Sequence, residues 1–392
     1  MSVPTVHDFP EQEHEVTSLE LFFDLIFVFA LSQLAHHLLT HMSWRGVGET
    51  LVMLIVIFLV WFRTSWSATM IPADQSRTRW MMLAVMLLGL FMNASVTSAF
   101  TISGWAFVVS YLLIQLGRTF WTYFNAPDPA YREHYLRVLI WLIPTIPFWI
   151  AGAVTNPDMR LLWWGLAAGI DLIGTWLAHP ISRRGLHSEN LSFDASHMLE
   201  RCRLFLLIAL GETIIEAGVA ISEAPMTLMT LVTGTAALVG TVALWALNFG
   251  HSQGLLTIRY RQEKHNPILI SRYTVNALIG LFAGLIAVAV ANEMVIAHPE
   301  GEPSVPIIML LYGGPILYLL AQSWYLQAVP RDSPRLRLIG IAVLVLAGIA
   351  MLTAPPYIAL ILVAVILTIL VLFDRRTAKP AQIQELKESD HG

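Results

Sequence analysis

The sequence predicts an all-α polytopic membrane protein of about twelve transmembrane helices, laid out as two parallel six-helix repeats. Three observations carry this. Of the 392 residues, 56% are hydrophobic and only 13% charged, with a mean hydropathy of +0.65, whereas a globular chain carries roughly a quarter charged residues. The apolar residues fall in runs of about 20, the length that crosses a hydrocarbon core of roughly 30 Å. Finally, a set of residues in the first half recurs in the same order in the second.

Apolar windows place the spans at 19–39, 48–70, 79–100, 103–123, 134–154, 159–179, 199–220, 225–249, 267–296, 305–327, 335–353 and 355–373. The breaks between them hold Pro72, Asn125-Ala-Pro127, Asn156-Pro157, Pro180, Pro225, Pro303 and Pro330, residues that punctuate rather than continue a helix. Thr353-Ala-Pro-Pro356 separates the last two spans, and the tail from Asp374 is polar. The resulting units are an N-terminal segment 1–18, a first repeat 19–179, a linker 180–198, a second repeat 199–373 and a tail 374–392.

Of the 23 Lys and Arg, all but Arg45, Arg63 and Arg160 fall in or beside the loops after even-numbered spans, or in the tail. The positive-inside rule then puts both termini in the cytoplasm, and an even span count agrees. Residues 1–17 hold Asp8, Glu11, Glu13 and Glu15 and no basic residue, which is not a secretory n-region, so the first helix is expected to be retained. The single cysteine, Cys202, excludes an internal disulfide framework. A net charge of −4 gives no general attraction to nucleic acid.

The repeat rests on ordered matches. Glu20 opens the first helix and Glu200 the seventh. Gly89-Leu-Phe91 matches Gly280-Leu-Phe282, Tyr111-Leu-Leu-Ile-Gln115 matches Tyr318-Leu-Leu-Ala-Gln322, and Leu136-Arg137 matches Leu336-Arg337. Halves of this kind are related by an axis along the membrane normal.

Ionisable groups inside spans are costly and therefore informative. At about 100° per residue, Glu20, Asp24, Ser32 and His36 occupy one arc of helix 1, from 0° to about 160°. Counted from Glu200, His197, Glu212 and Glu216 cover the matching arc of helix 7. Both stripes should face the bundle interior. Depth suggests an Asp24–Arg63 pair near the cytoplasmic side, acting as a gate or simply as a register lock. Glu212, assisted by Glu216 or by Asp171 at similar depth, is the expected proton or cation site, because neighbouring carboxylates in low dielectric cannot all stay ionised. The bland alternative is a protonated Glu hydrogen-bonding another helix. Glu20, Glu200, Arg118, Arg272 and Glu293 lie near span ends, where they can cap or snorkel.

Histidines gather at His36, His37 and His41, and at His179, His187 and His197, with no motif that fixes a metal geometry; His36 is the one expected to join the proton or cation site as a relay. Trp44, Trp105, Trp163 and Trp164 on one side, and Trp80, Trp121 and Trp324 on the other, read as an aromatic belt. The GxxxG stretches Gly165–Gly169 and Gly280–Gly284 predict close helix contacts. No phosphate-binding GxxxxGK[ST] loop, HExxH or GxSxG is present, and all three lysines lie outside the spans, so none can form an intramembrane Schiff base. No cofactor is called for.

Val16-Thr-Ser-Leu-Glu-Leu-Phe-Phe-Asp-Leu-Ile-Phe-Val-Phe-Ala-Leu-Ser-Gln33, and again Leu210-Gly-Glu-Thr-Ile214, resemble the bacterial low temperature requirement A (LtrA) family. The resemblance runs along essentially the whole chain. It implies a multi-span protein with a role in growth at low temperature, and marks Glu20, Asp24, Gln33, Glu200, Gly211 and Glu212 as characteristic positions. It implies no particular reaction or substrate.

The expected function is a proton- or cation-coupled secondary transporter or ion-conducting protein of the cell membrane, whose partners are the lipid bilayer and a small ion or solute. The alternatives are an intramembrane enzyme or sensor acting on lipid, with Arg183, Arg184, Arg201 and Arg203 as a headgroup pocket, and a structural scaffold.

Overall fold

The computed structural model describes residues 16–71, 76–101, 104–126, 128–180, 195–250, 267–326 and 335–389. Asp8, Glu11, Glu13, Glu15, Arg183, Arg184, His187, Arg259, Arg261, Lys264 and Arg331 lie outside the described residues, as do the side chains of Arg272, Arg375, Arg376, Lys379 and Lys387. Among the described residues every regular element is helical.

The helices are α1 (Ser18–Thr40), α2 (Trp44–Met70), α3 (Ser76–Ala94), α4 (Gly104–Asn125), α5 (Pro129–Leu142), α6 (Ile146–Val154), α7 (Pro157–Trp176), α8 (Ala195–Glu223), α9 (Leu228–Phe249), α10 (Pro267–Ala297), α11 (Val305–Leu326), α12 (Arg335–Ala350) and α13 (Pro356–Ser389). Among the described residues nine segments are long and apolar enough to cross a membrane, α5 and α6 counting as one. Helices α3, α4 and α7 are not among the nine.

Local chemistry sets the helix ends. Thr17 caps α1 in a reciprocal capping box with Glu20, which satisfies two donors at that terminus. Ser43 caps α2, Asp128 caps α5 ahead of Pro129, and Thr227 caps α9. Instead of one uninterrupted helix, the span expected at 134–154 is α5 and α6 joined by the 3₁₀ turn Ile143–Thr145. Pro144 and Pro147 each remove an amide donor from that ladder, and the chain tightens locally. The window at 79–100 likewise ends early: α3 stops at Ala94, and the 3₁₀ turn Val96–Ser98 follows. Helix α13 runs on to Ser389, well into the polar tail.

Helix α1 is central. It packs on α2 and α3, and also on α8 and α10. Where α1, α2, α8 and α10 meet, aromatic rings fill the space. Trp61 stacks on Phe205 with centroids 4.2 Å apart, Phe205 meets Phe282 edge-on at 4.9 Å, and Phe58 lies 5.9 Å from Phe282. In lipid, close packing of this kind holds helices together where the hydrophobic effect does not.

The GxxxG expectation holds for one stretch and fails for the other. A Cβ on Gly284 would lie 2.8 Å from the Gly314 carbonyl, and one on Gly280 2.8 Å from the Ala321 Cβ, so α10 and α11 cross in backbone contact. Gly169, by contrast, has nothing within 4 Å, and Gly165 approaches only Val52. The belt expectation needs one correction. Trp44, Trp80, Trp105 and Trp324 are exposed, but Trp164 is fully buried and donates to the Trp149 carbonyl at 3.1 Å. It belongs to the core, beneath Arg160.

Candidate functional site

The intramembrane charges sort into clusters that differ in how completely each acid is matched. On the side where α1 begins (the near side), Glu20 and Asp24 of α1 meet Arg201 of α8. Arg201 is wholly buried, with Nη2 2.7 Å from Asp24 Oδ1 and Nη1 3.5 Å from Glu20 Oε1. Trp61 donates its indole N–H to the same Asp24 oxygen at 2.7 Å. His197 Nε2 lies 3.4 Å from Glu20. The guanidinium also sits 5.5 Å and 5.9 Å from the ring centres of Phe23 and Trp61, where ring quadrupoles favour a cation.

Arg63 of α2 is elsewhere. Its Nη2 reaches Asp171 Oδ1 at 3.3 Å and Thr175 Oγ1 at 2.8 Å, both on α7. Tyr111 of α4 donates its hydroxyl to the other Asp171 oxygen. Arg118 of α4 lies alongside, on Thr64, Gln115 and Thr119. On the far side, where α1 ends, Glu49 of α2 takes His37 at 3.1 Å and Arg45 at 2.8 Å, and Arg45 also pairs with Asp158 of α7. Arg160 fastens the same end through Gly152, Ala99 and Thr101 carbonyls at 3.0, 2.7 and 3.2 Å. Those are chain ends whose carbonyls lack helical partners, so a cation is favourable there.

The third group is chemically different. In the far half of the bundle α1, α8 and α10 form a narrow, partly open crevice lined by Ser32, Glu212, Thr213 and Glu216 among apolar side chains. Ser32 donates its hydroxyl to Glu216, and Glu212 lines the same crevice one helical turn before Glu216. Glu293 of α10 is half-buried. Among the described residues no arginine or lysine pairs with Glu212 or Glu216. From Arg201 to Glu212 is eleven residues of α8, about 16 Å at 1.5 Å per residue. The Trp61, Phe205 and Phe282 rings fill the interval.

Several expectations are thereby corrected. Asp24 pairs with Arg201 and not with Arg63, because Trp61 occupies the face of α2 turned toward Asp24. Asp171 of α7 is locked to Arg63 and Tyr111, away from the crevice, so it does not assist Glu212. Arg118 does not snorkel: it is 2% exposed. Glu20 both caps α1 and joins the buried ion cluster. His36 is exposed, and Ser32 takes the place beside Glu216. Glu200 behaves as a span-end residue, half-exposed and paired with Arg203 at 3.4 Å. A headgroup pocket loses Arg201 to the interior. Gln33 is half-buried, and Gly211 has nothing within 4 Å of a Cβ position.

Arg201 is the main residue that sequence reasoning misassigned, to a headgroup pocket instead of the buried cluster. The signal was present: on the α8 wheel it lies at about 100°, inside the same arc as His197 and Glu212. Trp61, Tyr111 and Thr175 carry no such signal, since an aromatic or hydroxyl residue in a span is ordinary.

Residues 15–372 match the family model described as bacterial low temperature requirement A protein (LtrA). A protein of Rhizobium meliloti (strain 1021), described as uncharacterized, is 28% identical over 344 residues, covering 87% of this chain and 83% of its own length. No solved structure is similar to the chain.

Proposed function

The chain belongs to the bacterial low temperature requirement A family, and we propose that it works as a proton- or cation-coupled transporter whose ion site is the crevice between α1, α8 and α10. One observation carries the reading: the fully buried acids, Glu20, Asp24, Glu49 and Asp171, each sit against a cation, whereas the half-buried Glu212 and Glu216 face a crevice beside Ser32, with no arginine or lysine pairing with them among the described residues. Two close carboxylates without a cation favour taking up a proton or a cation. The aromatic layer of Trp61, Phe205 and Phe282, backed by Asp24 and Arg201, forms the near-side barrier that alternating access requires.

Twelve spans in two parallel halves, with both termini cytoplasmic, complete the proposal. Neighbour relations support the duplication: α1 packs on α2 and α3 as α8 does on α9 and α10, α3 on α4 as α10 on α11, and α2 on α7 as α9 on α13. The matched residues Tyr111 and Tyr318, Gln115 and Gln322, and Arg137 and Arg337 are all buried.

The test is proton and cation flux in proteoliposomes under imposed pH and potential gradients, for wild type and Glu212→Gln. Flux that disappears in a folded Glu212→Gln protein supports the assignment. Equal flux in both removes Glu212 from the pathway.

A further inference from the structure

We propose that the cluster of buried donors where α2, α4, α5 and α7 meet is a binding site for one small monovalent anion. Its two guanidinium groups, Arg63 and Arg118, are 7% and 2% exposed, and Arg118 Nη1 reaches the hydroxyl of Thr64, the residue next to Arg63, at 3.3 Å. Among the described residues Asp171 is the only carboxylate that pairs with either. Arg137, the next cation along α5, is matched within its own helix by Glu133. One positive charge is therefore left over in the interior.

An unmatched buried cation is among the costliest features a fold can carry. Lysine or histidine could escape by losing a proton, but arginine stays charged in proteins. The neutral partners present do not use up the donors. Arg63 Nε and Nη1 and Arg118 Nε have no hydrogen-bond partner. Two histidines of the same cluster are open as well: both ring nitrogens of His179, which is 4% exposed, and Nδ1 of His134 are buried and unpartnered, with the two rings 5.9 Å apart, and each neutral imidazole carries one N–H that can donate. Among the described residues the only full negative charge of the cluster is already shared by Arg63 and Tyr111.

The backbone points the same way. Ala178 and His179 are consecutive non-glycine residues with φ of 57° and 52°, a left-handed conformation that side chains disfavour and that persists where surroundings impose it. His179 is held there by its amide, 2.7 Å from the Gly174 carbonyl. Gly174 itself lets Trp141 and the His179 ring approach, since a Cβ would lie 2.9 Å and 3.3 Å from them. The turn places the buried His179 imidazole 5.9 Å from that of His134. An excess of one charge, with donors arriving from several helices, selects a small monoanion such as chloride, nitrate or formate over sulfate or phosphate.

The experiment uses full-length protein in detergent. Apparent Tm is followed as potassium chloride, nitrate or formate replaces potassium gluconate at constant ionic strength, and one-site binding of radioactive chloride is measured by equilibrium dialysis. A ligand of the native state raises Tm in a concentration-dependent way. The expected result is a rise in Tm for the small anions and one chloride per chain. Arg118→Gln, which keeps the Arg63–Asp171 pair and removes the excess charge, should abolish both effects. Asp171→Asn should bind chloride more tightly, with a lower half-saturating concentration. The proposal is overturned if wild-type Tm is the same in every salt and no chloride is retained, or if Arg118→Gln behaves as wild type. Should Arg118→Gln not fold, the wild-type titration and Asp171→Asn decide alone.

Discussion

Replacing Arg201 with methionine tests how the near-side cluster is held. The substitution keeps most of the side-chain volume but removes the cation 2.7 Å from Asp24 and 3.5 Å from Glu20, all three groups being within 1% of full burial. Asp24 would retain only the Trp61 N–H, and one of its oxygens already lacks a partner. Removing one member of a buried pair costs about 3–5 kcal/mol, chiefly because the other charge is stranded. Loss of the cation over Phe23 and Trp61 adds roughly 0.5–1 kcal/mol. A destabilisation of about 4 kcal/mol is therefore expected in reversible unfolding by denaturing detergent. Adding Asp24→Asn removes the stranded charge, so the double variant should recover about half of that loss. Coupling energies of 0.5–3 kcal/mol are usual for such contacts, and this pair should lie at the upper end. A single-variant loss below about 1 kcal/mol, or a double variant no better than the single, would refute the stranded-charge argument.

Gly284→Leu should lower the melting temperature sharply and reduce folded yield, because its Cβ would meet the Gly314 carbonyl at 2.8 Å and overpacking costs about 1–3 kcal/mol or more. Gly169→Ala, with nothing within 4 Å, should be neutral or stabilising by up to about 1 kcal/mol through helix propensity, read by the same melt. Arg160→Met should destabilise by about 1–3 kcal/mol, since three carbonyls lose their donor; a melt equal to wild type would contradict this. Glu212→Gln should leave the melting temperature within a degree or two of wild type while abolishing flux. A large stability loss instead would mark Glu212 as a structural residue.

The class of protein, and most of the helix ends, were legible in the chain because both depend on local quantities. A run of apolar residues at 1.5 Å per residue must cross the membrane or lie buried, and Thr17, Ser43, Asp128 and Thr227 cap their helices through residues two or three positions away. The composition of the polar stripes on α1 and α8 was legible for the same reason, since a helix's angular period is fixed. The partners of those stripes were not. Depth along a helix follows from counting residues, and it put Asp24 level with Arg63 and Asp171 level with Glu212. Whether two residues at one level touch depends on the azimuth at which separate helices meet, and that is settled by packing. Trp61 stacking on Phe205 turned α2 so that Arg63 faces α7, and left Asp24 to Arg201. Gly280 and Gly284 lie in a tight crossing while Gly165 and Gly169 do not, though both stretches have the same spacing, because only the first meets a facing small residue, Gly314 or Ala321. A charge's position along its own helix follows from the sequence; the packing of helices against one another chose its partner.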